Sequence, residues 1–207
     1  MTTTASLLLK APRPGTVKTR LARSLGDAQA TAIYRHLVEY QLRQIPPSWA
    51  CSIHFSPADS ELEMRSWLDS FAPPQTRFLP QCEGNLGDRL IAASRADLAS
   101  GPVVLMGGDC PQLHTDVLLD VAARLSAADV IITPAIDGGY VLLALQSDCP
   151  ALFDQVPWSS EGVLPATLRN ASQAGLRVHL TSPCIDIDDV ESFLAFSEKN
   201  PSFWPDC

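Results

Sequence analysis

Ser6–Arg20, SLLLKAPRPGTVKTR, passes without warning from a buried-looking apolar run into a basic loop broken by Pro12, Pro14 and Gly15. A run this short that is followed by a loop and then a helical pattern reads as a β-strand feeding a helix. The same sentence is written again along the chain. Cys51–Phe55, Val103–Met106, Val130–Thr133, Tyr140–Leu145 and Arg177–Leu180 read as further strands. Ala28–Gln44, Glu61–Phe71, Leu86–Ala99, Thr115–Leu125, Gly162–Ala174 and Asp189–Lys199 carry helical spacing. Pro46-Pro47 and Pro73-Pro74 mark turns. Strand–helix alternation predicts an α/β fold, a three-layer Rossmann-like mostly parallel sheet with helices on both faces. With 207 residues and no internal repeat, residues 1–207 read as a single domain.

Composition excludes several classes. Hydrophobic residues make up 46% and charged residues 18%, the balance of a soluble globular chain. The formal net charge of -8 argues against nucleic acid as a partner. No apolar stretch is long enough for a membrane span, and MTTTASLLLK lacks the basic start of a signal peptide, so a cytoplasmic protein is expected. The cysteines at 51, 82, 110, 149, 184 and 207 form no CxxC pair and suit reduced thiols better than disulfides or zinc.

Against this acidic background the opening loop stands out. The first acidic residue is Asp27, and five of the fifteen Lys and Arg residues precede it. In an open parallel sheet, ligands bind beyond the carboxyl ends of the strands. After SLLL comes KAPRPGTVKTR, after VVLM comes GGDCP, and after VIIT comes PAIDGGY: charges and glycines gather at one predicted edge. Pro14 and Gly15 shape the first loop, Thr16–Arg20 is expected to enter a helix, and Lys18 and Arg20 suit a diphosphate. A solvated basic loop paired with acids elsewhere fits the same residues. Asp109 suits a Mg²⁺ or Mn²⁺ ion or a turn cap. Asp137, followed by Gly138 and Gly139, fits a site or a hairpin turn. In IDIDDVESF, alternation puts Asp186 and Asp188 on one face, where they would join Asp109 at a metal, and one acid of the group caps the helix.

Two further segments complete the edge. Gln81–Leu90, QCEGNLGDRL, brings Gln81, Gly84, Asn85, Gly87 and Arg89 to a loop–helix junction suited to a flat nucleobase or to plain capping. VPWSSEGVLPATL offers Trp158, Ser159, Ser160 and Glu161 as a rim, or Trp158 as a core anchor.

Together KAPRPGTVKTRL, GNLGDRL, GGDCP, PAIDGGYVLLAL, WSS and DIDDVESF, in that order and over nearly the whole chain, resemble a family. It is the bacterial glycosyltransferase-A-like family of nucleotide-diphospho-sugar transferases, some of whose members are labelled arsenosugar biosynthesis glycosyltransferases. The resemblance implies the GT-A type of sheet and distant kinship with nucleotidyltransferases. It implies a phosphate-binding loop at Lys18 and Arg20, a base-facing segment at Gly84–Arg89, and metal acids at Asp109 and Asp188. Asp-Cys-Pro replaces the Asp-x-Asp pair of many metal-dependent glycosyltransferases, and the LxGGxGxRMG loop of nucleotidyltransferases is missing.

The resulting expectation is a metal-dependent glycosyltransferase-like enzyme with a nucleotide-diphospho-sugar donor and a small-molecule acceptor. Lys18 and Asp109 would act on the leaving group, and Asp137 on the acceptor. A nucleotidyltransferase joining an NTP to a phosphorylated substrate uses the same residues. A non-catalytic nucleotide-binding module is the third reading. The oligomeric state is not encoded in any motif.

Overall fold

The computed structural model describes residues 2–204. Seven strands form one sheet: β1 (Thr4–Lys10), β2 (Ala50–Ser56), β3 (Arg77–Pro80), β4 (Val103–Met106), β5 (Val130–Pro134), β6 (Tyr140–Leu145) and β7 (Val178–Leu180). Their order is β3-β2-β1-β4-β6-β5-β7. All pairings are parallel except those of β6, which runs antiparallel to both β4 and β5. The hairpin after β5 therefore inserts β6 beside β4, so the start of β6 lies at the same edge as the ends of β1, β4 and β5.

The helices are α1 (Thr19–Leu25), α2 (Asp27–Gln44), α3 (Glu61–Leu68), α4 (Leu86–Leu98), α5 (Thr115–Arg124), α6 (Val163–Gln173) and α7 (Val190–Lys199). Strand residues alternate between the two faces, as the period of two demands. Leu7, Leu9, Ile53, Phe55, Val104 and Met106 pack with α2, α3 and α5. Leu105, Val130, Ile132, Leu143 and Leu145 pack on the other face with α4, α6 and the short turn Pro150–Phe153. Each fully buried leucine of these layers contributes about 1.5–3 kcal/mol relative to exposure. A smaller cluster holds α1 and α7 against the outside of α2 through Leu21, Ile33, Leu37, Ile187 and Phe196.

The expected α/β architecture is present, with element ends shifted by up to three residues. β3 is the element the sequence did not announce, because RFLP has only four residues and begins and ends on poor strand formers. The helix expected over Thr16–Arg20 begins only at Thr19. No helix among the described residues is long and apolar enough to cross a membrane. Cys51, Cys82, Cys110, Cys149 and Cys184 are free thiols, and Cys207 lies outside the described residues.

Candidate active site

Three loops meet at the carboxyl edge of the sheet. Lys18 precedes α1 with left-handed backbone, φ 48° and ψ 44°, a conformation uncommon for a residue with a side chain. Such local strain persists where surrounding structure fixes it, and it clusters at functional sites. Here the fixing contacts are ionic. The Lys18 side chain is 4% exposed, and its Nζ lies 2.9 Å from Asp109 Oδ2 and 3.5 Å from Asp188 Oδ1. Arg20 reaches Asp188 Oδ2 at 3.2 Å from the more open side. Residues 18, 109 and 188, far apart in sequence, thus form one cluster.

The backbone explains the convergence. Cys184 continues the sheet past β7 by bridging to Ala135, and the Ile187 N–H donates to the Asp109 carbonyl at 2.9 Å. Ile187 is fully buried, so Asp186 and Asp188 on either side of it turn together toward the edge. The capping role falls to Asp189, whose carboxylate accepts from the Ser192 N–H at 2.8 Å.

Charge is unevenly balanced in this cluster. Burial works to lower the Lys18 pKa, but the Asp109 and Asp188 carboxylates outweigh it and hold the ammonium above the ordinary lysine value. Asp186 is pushed up to about 6 by burial and then by the nearby Asp109 and Asp137 carboxylates. Negative charge is in excess where these loops meet. Among the described residues no three His, Cys, Asp or Glu side chains are grouped to hold a metal unaided. Mg²⁺ and Mn²⁺ typically take one or two carboxylates and complete their shell with phosphate oxygens and water. Asp109 and Asp188 fit that donor set.

Several cavities adjoin the cluster. One of about 310 Å³ lies over the first loop and is lined by Lys18, Thr16, Gly107 and Asp188. An apolar slot of about 220 Å³ runs between Leu8, Leu86, Leu90 and Tyr140 toward Asp109 and Asp186. An open chamber of about 830 Å³ follows, walled by Tyr140, Trp158 and Ser159 and by Asp137, Glu161 and Asp186. Trp158 is both rim and anchor: it is half-buried and its ring stacks on Phe153 with centroids 6.5 Å apart.

Other expected residues take different positions. Pro14 and Gly15 form an exposed turn that lines none of these cavities, with Gly15 at φ 80° beside Asp27. The Gln81 amide donates to the carbonyls of His54 at 2.7 Å and Leu9 at 3.1 Å, and its oxygen accepts from Arg89 at 3.2 Å. Those bonds tie the ends of β1 and β2 together and take up the groups that a base edge would need. Asn85 caps α4 by exchanging bonds with Asp88, and Gly84 makes room for that carboxylate. A Cβ on Gly87 would lie 3.0 Å from the Trp158 ring, so this glycine serves helix packing. Gly138, at φ 95°, passes against the Glu161 backbone, where a Cβ would come within 2.7 Å. Gly139 lines the chamber and donates its N–H to Asp137 Oδ1 at 3.0 Å, the turn that the Asp-Gly pair suggested.

One group of polar residues escaped the sequence reading. Asp97, fully buried on α4, accepts from Ser52 at 2.9 Å, contacts His54 Nε2 at 3.1 Å and pairs with Arg77. No spacing rule links these residues, since only the sheet brings β2, β3 and α4 together.

No curated protein matches the chain. Among solved structures it is similar to a candidate nucleotide-diphospho-sugar transferase from Desulfovibrio desulfuricans G20, with 31% identity, TM-score 0.86, and coverage of 98% of this chain and 90% of that one. It shares its fold with 4-diphosphocytidyl-2C-methyl-D-erythritol synthase from Anaerococcus prevotii DSM 20548, at 12% identity, TM-score 0.63, and coverage of 96% and 97%. The fold recurs in the manganese complex of Rv0371c from Mycobacterium tuberculosis H37Rv, at 16% identity, TM-score 0.53, and coverage of 96% and 99%. A family model described as an uncharacterized protein conserved in bacteria, DUF2064, matches residues 43–160. That match spans more than half of the chain, which therefore belongs to the DUF2064 family of bacterial proteins and has the nucleotide-diphospho-sugar transferase fold.

Proposed function

We propose that the protein is a metal-dependent glycosyltransferase-like enzyme that takes a nucleotide-diphospho-sugar donor and a small-molecule acceptor. The observation that carries this reading is the buried Lys18 ammonium held between Asp109 and Asp188 beside a large open chamber. Departure of a nucleoside diphosphate builds negative charge on the leaving oxygen. Cations already fixed at that point stabilise it without reorganising at the moment of reaction. Lys18 and Arg20 are the groups for this work, and Asp109 and Asp188 would hold Mg²⁺ or Mn²⁺. Such an ion supplies electrostatic stabilisation of the departing diphosphate. Asp137, fixed at the chamber wall by the Gly139 N–H, orients the acceptor hydroxyl and accepts its proton. The donor name of the Desulfovibrio relative and the manganese of the Mycobacterium structure support the reading.

The test is product identity. Protein with Mn²⁺ or Mg²⁺ is incubated with a panel of nucleotide sugars and, separately, nucleoside triphosphates. Release of nucleoside diphosphate from a nucleotide sugar, abolished by EDTA and restored by Mn²⁺, is expected. Pyrophosphate released from a triphosphate in the presence of sugar phosphates, with no nucleoside diphosphate from any sugar donor, overturns the proposal in favour of nucleotidyl transfer. Tight nucleotide binding with neither product leaves a binding module.

A further inference from the structure

The lining of the open chamber says what kind of acceptor it admits, given the sugar-transfer reading above. One wall is aromatic and apolar, made by Tyr140, Trp158 and Leu86. The same lining carries four acidic residues, Asp137, Glu161, Asp186 and Asp188, and Arg20 is the one basic residue that lines the space. Arg20 lies 3.2 Å from Asp188 and, on the reading above, serves the donor diphosphate rather than the acceptor. The other cation of the site, Lys18, is buried against Asp109 and Asp188 and does not line this chamber.

We infer that this chamber selects its acceptor by charge: it takes a neutral or amine-bearing polyhydroxylated molecule and turns away phosphorylated and carboxylated ones. A phosphate monoester carries a charge of about -1.5 to -2 at neutral pH. It would have to settle among carboxylates with no uncommitted guanidinium or ammonium to receive it. A hydroxyl or ammonium group finds acceptors among the acidic residues, and the aromatic wall covers the apolar face of a sugar ring. A divalent ion on Asp109 and Asp188 with the donor diphosphate offsets charge at the inner end. Asp137 and Glu161 still face the acceptor. Like-charge juxtaposition of this kind is how a site rejects a wrong partner.

The charge claim can be measured without turnover. Ser159→Cys places a thiol at the chamber wall, and Leu86→Cys does so at a second lining position should the first variant misfold. Each is reacted with methanethiosulfonates carrying a trimethylammonium or a sulfonate group, with and without Mn²⁺. Labelling of the introduced position is followed by peptide mass spectrometry and corrected for reactivity with a free thiol. The cationic reagent is expected to react faster by about tenfold or more, and Glu161→Gln should shrink that ratio severalfold. Equal rates, or faster labelling by the sulfonate, overturn the inference. In the product assay, a hexose phosphate is expected to leave nucleoside diphosphate release unchanged, and acceleration by it overturns the inference while leaving sugar transfer intact. Absence of release from every donor is the failure of the sugar-transfer reading, and the labelling ratio then stands on its own.

Discussion

At the scale of single residues, Lys18 carries the most. Its ammonium is desolvated and still charged, because two carboxylates hold it above the usual lysine value. A group so placed is preorganised for an anion entering the cavity over the first loop, which Lys18 lines. Lys18→Ala is expected to lower nucleoside diphosphate release by on the order of 10²-fold or more, with the far-UV circular dichroism unchanged. An unaltered rate would reduce Lys18 to a structural counter-ion for Asp109. Asp109→Asn is expected to raise the concentration of Mn²⁺ needed for half-maximal activity, since one ionised oxygen donor is removed. Identical metal dependence would take Asp109 out of the metal shell. Both residues could be named from the sequence because charges and glycines gather after several apolar strands, at the edge where open parallel sheets bind ligands. Gln81 could not be judged that way. Its three bonds go to His54, Leu9 and Arg89, whose nearness only the folded sheet creates.

Among elements, the β5–β6 hairpin governs the chamber. Its tip carries Asp137, and Gly138 lets the hairpin lie against the loop before α6 and the first turn of that helix, where the Leu164 N–H donates to the Gly138 carbonyl at 3.0 Å. Gly138→Ala meets two obstacles at once: φ 95°, and a Glu161 backbone that cannot swing away. The expected loss is about 1–3 kcal/mol of stability, read by urea unfolding. It should come with a raised acceptor KM, because the Trp158–Glu161 wall moves with the hairpin. Loss of stability without any change in KM would separate the hairpin from the acceptor wall. The sequence contained the turn, since Asp137-Gly138-Gly139 is a frequent hairpin tip. It did not contain the role of the second residue, which depends on a loop more than twenty positions later.

On the scale of the whole molecule, the buried Asp97 ties α4 to the two strands beneath it. Burial opposes its charge, but hydrogen bonds from His54 and Ser52 outweigh that cost and hold the carboxyl below its ordinary value of 3.8. The sign follows from linkage. The folded state binds this proton less readily than the unfolded chain. Its stabilisation is therefore complete above 3.8 and is lost as pH falls through the lower, folded-state pKa. Asp97→Asn is expected to flatten the acid limb of the stability–pH profile below that value. At neutral pH it should cost about 3–5 kcal/mol, because Arg77 and His54 lose their buried partner. Chemical denaturation from pH 7 down to pH 2 checks both, and a parallel offset of the two profiles would show that the acid limb belongs to other groups.

The amino-acid sequence by itself determined the layers and the edge: apolar runs of strand length alternate with helical spacing, and the charges fall just after SLLL, VVLM and VIIT. Those are local facts, fixed by side-chain period and by the cost of burying charge, and they place Lys18 and Asp109 at one edge of the sheet. Tertiary structure alone decided the remainder. It placed β6 antiparallel between β4 and β5, spent Gln81 and Asn85 on the scaffold, gave Gly87 and Gly138 to close packing, and built the network around Asp97. Each of these depends on which distant segment becomes a neighbour, and a hydrogen bond or a van der Waals contact is set by distance in space, not by separation along the chain.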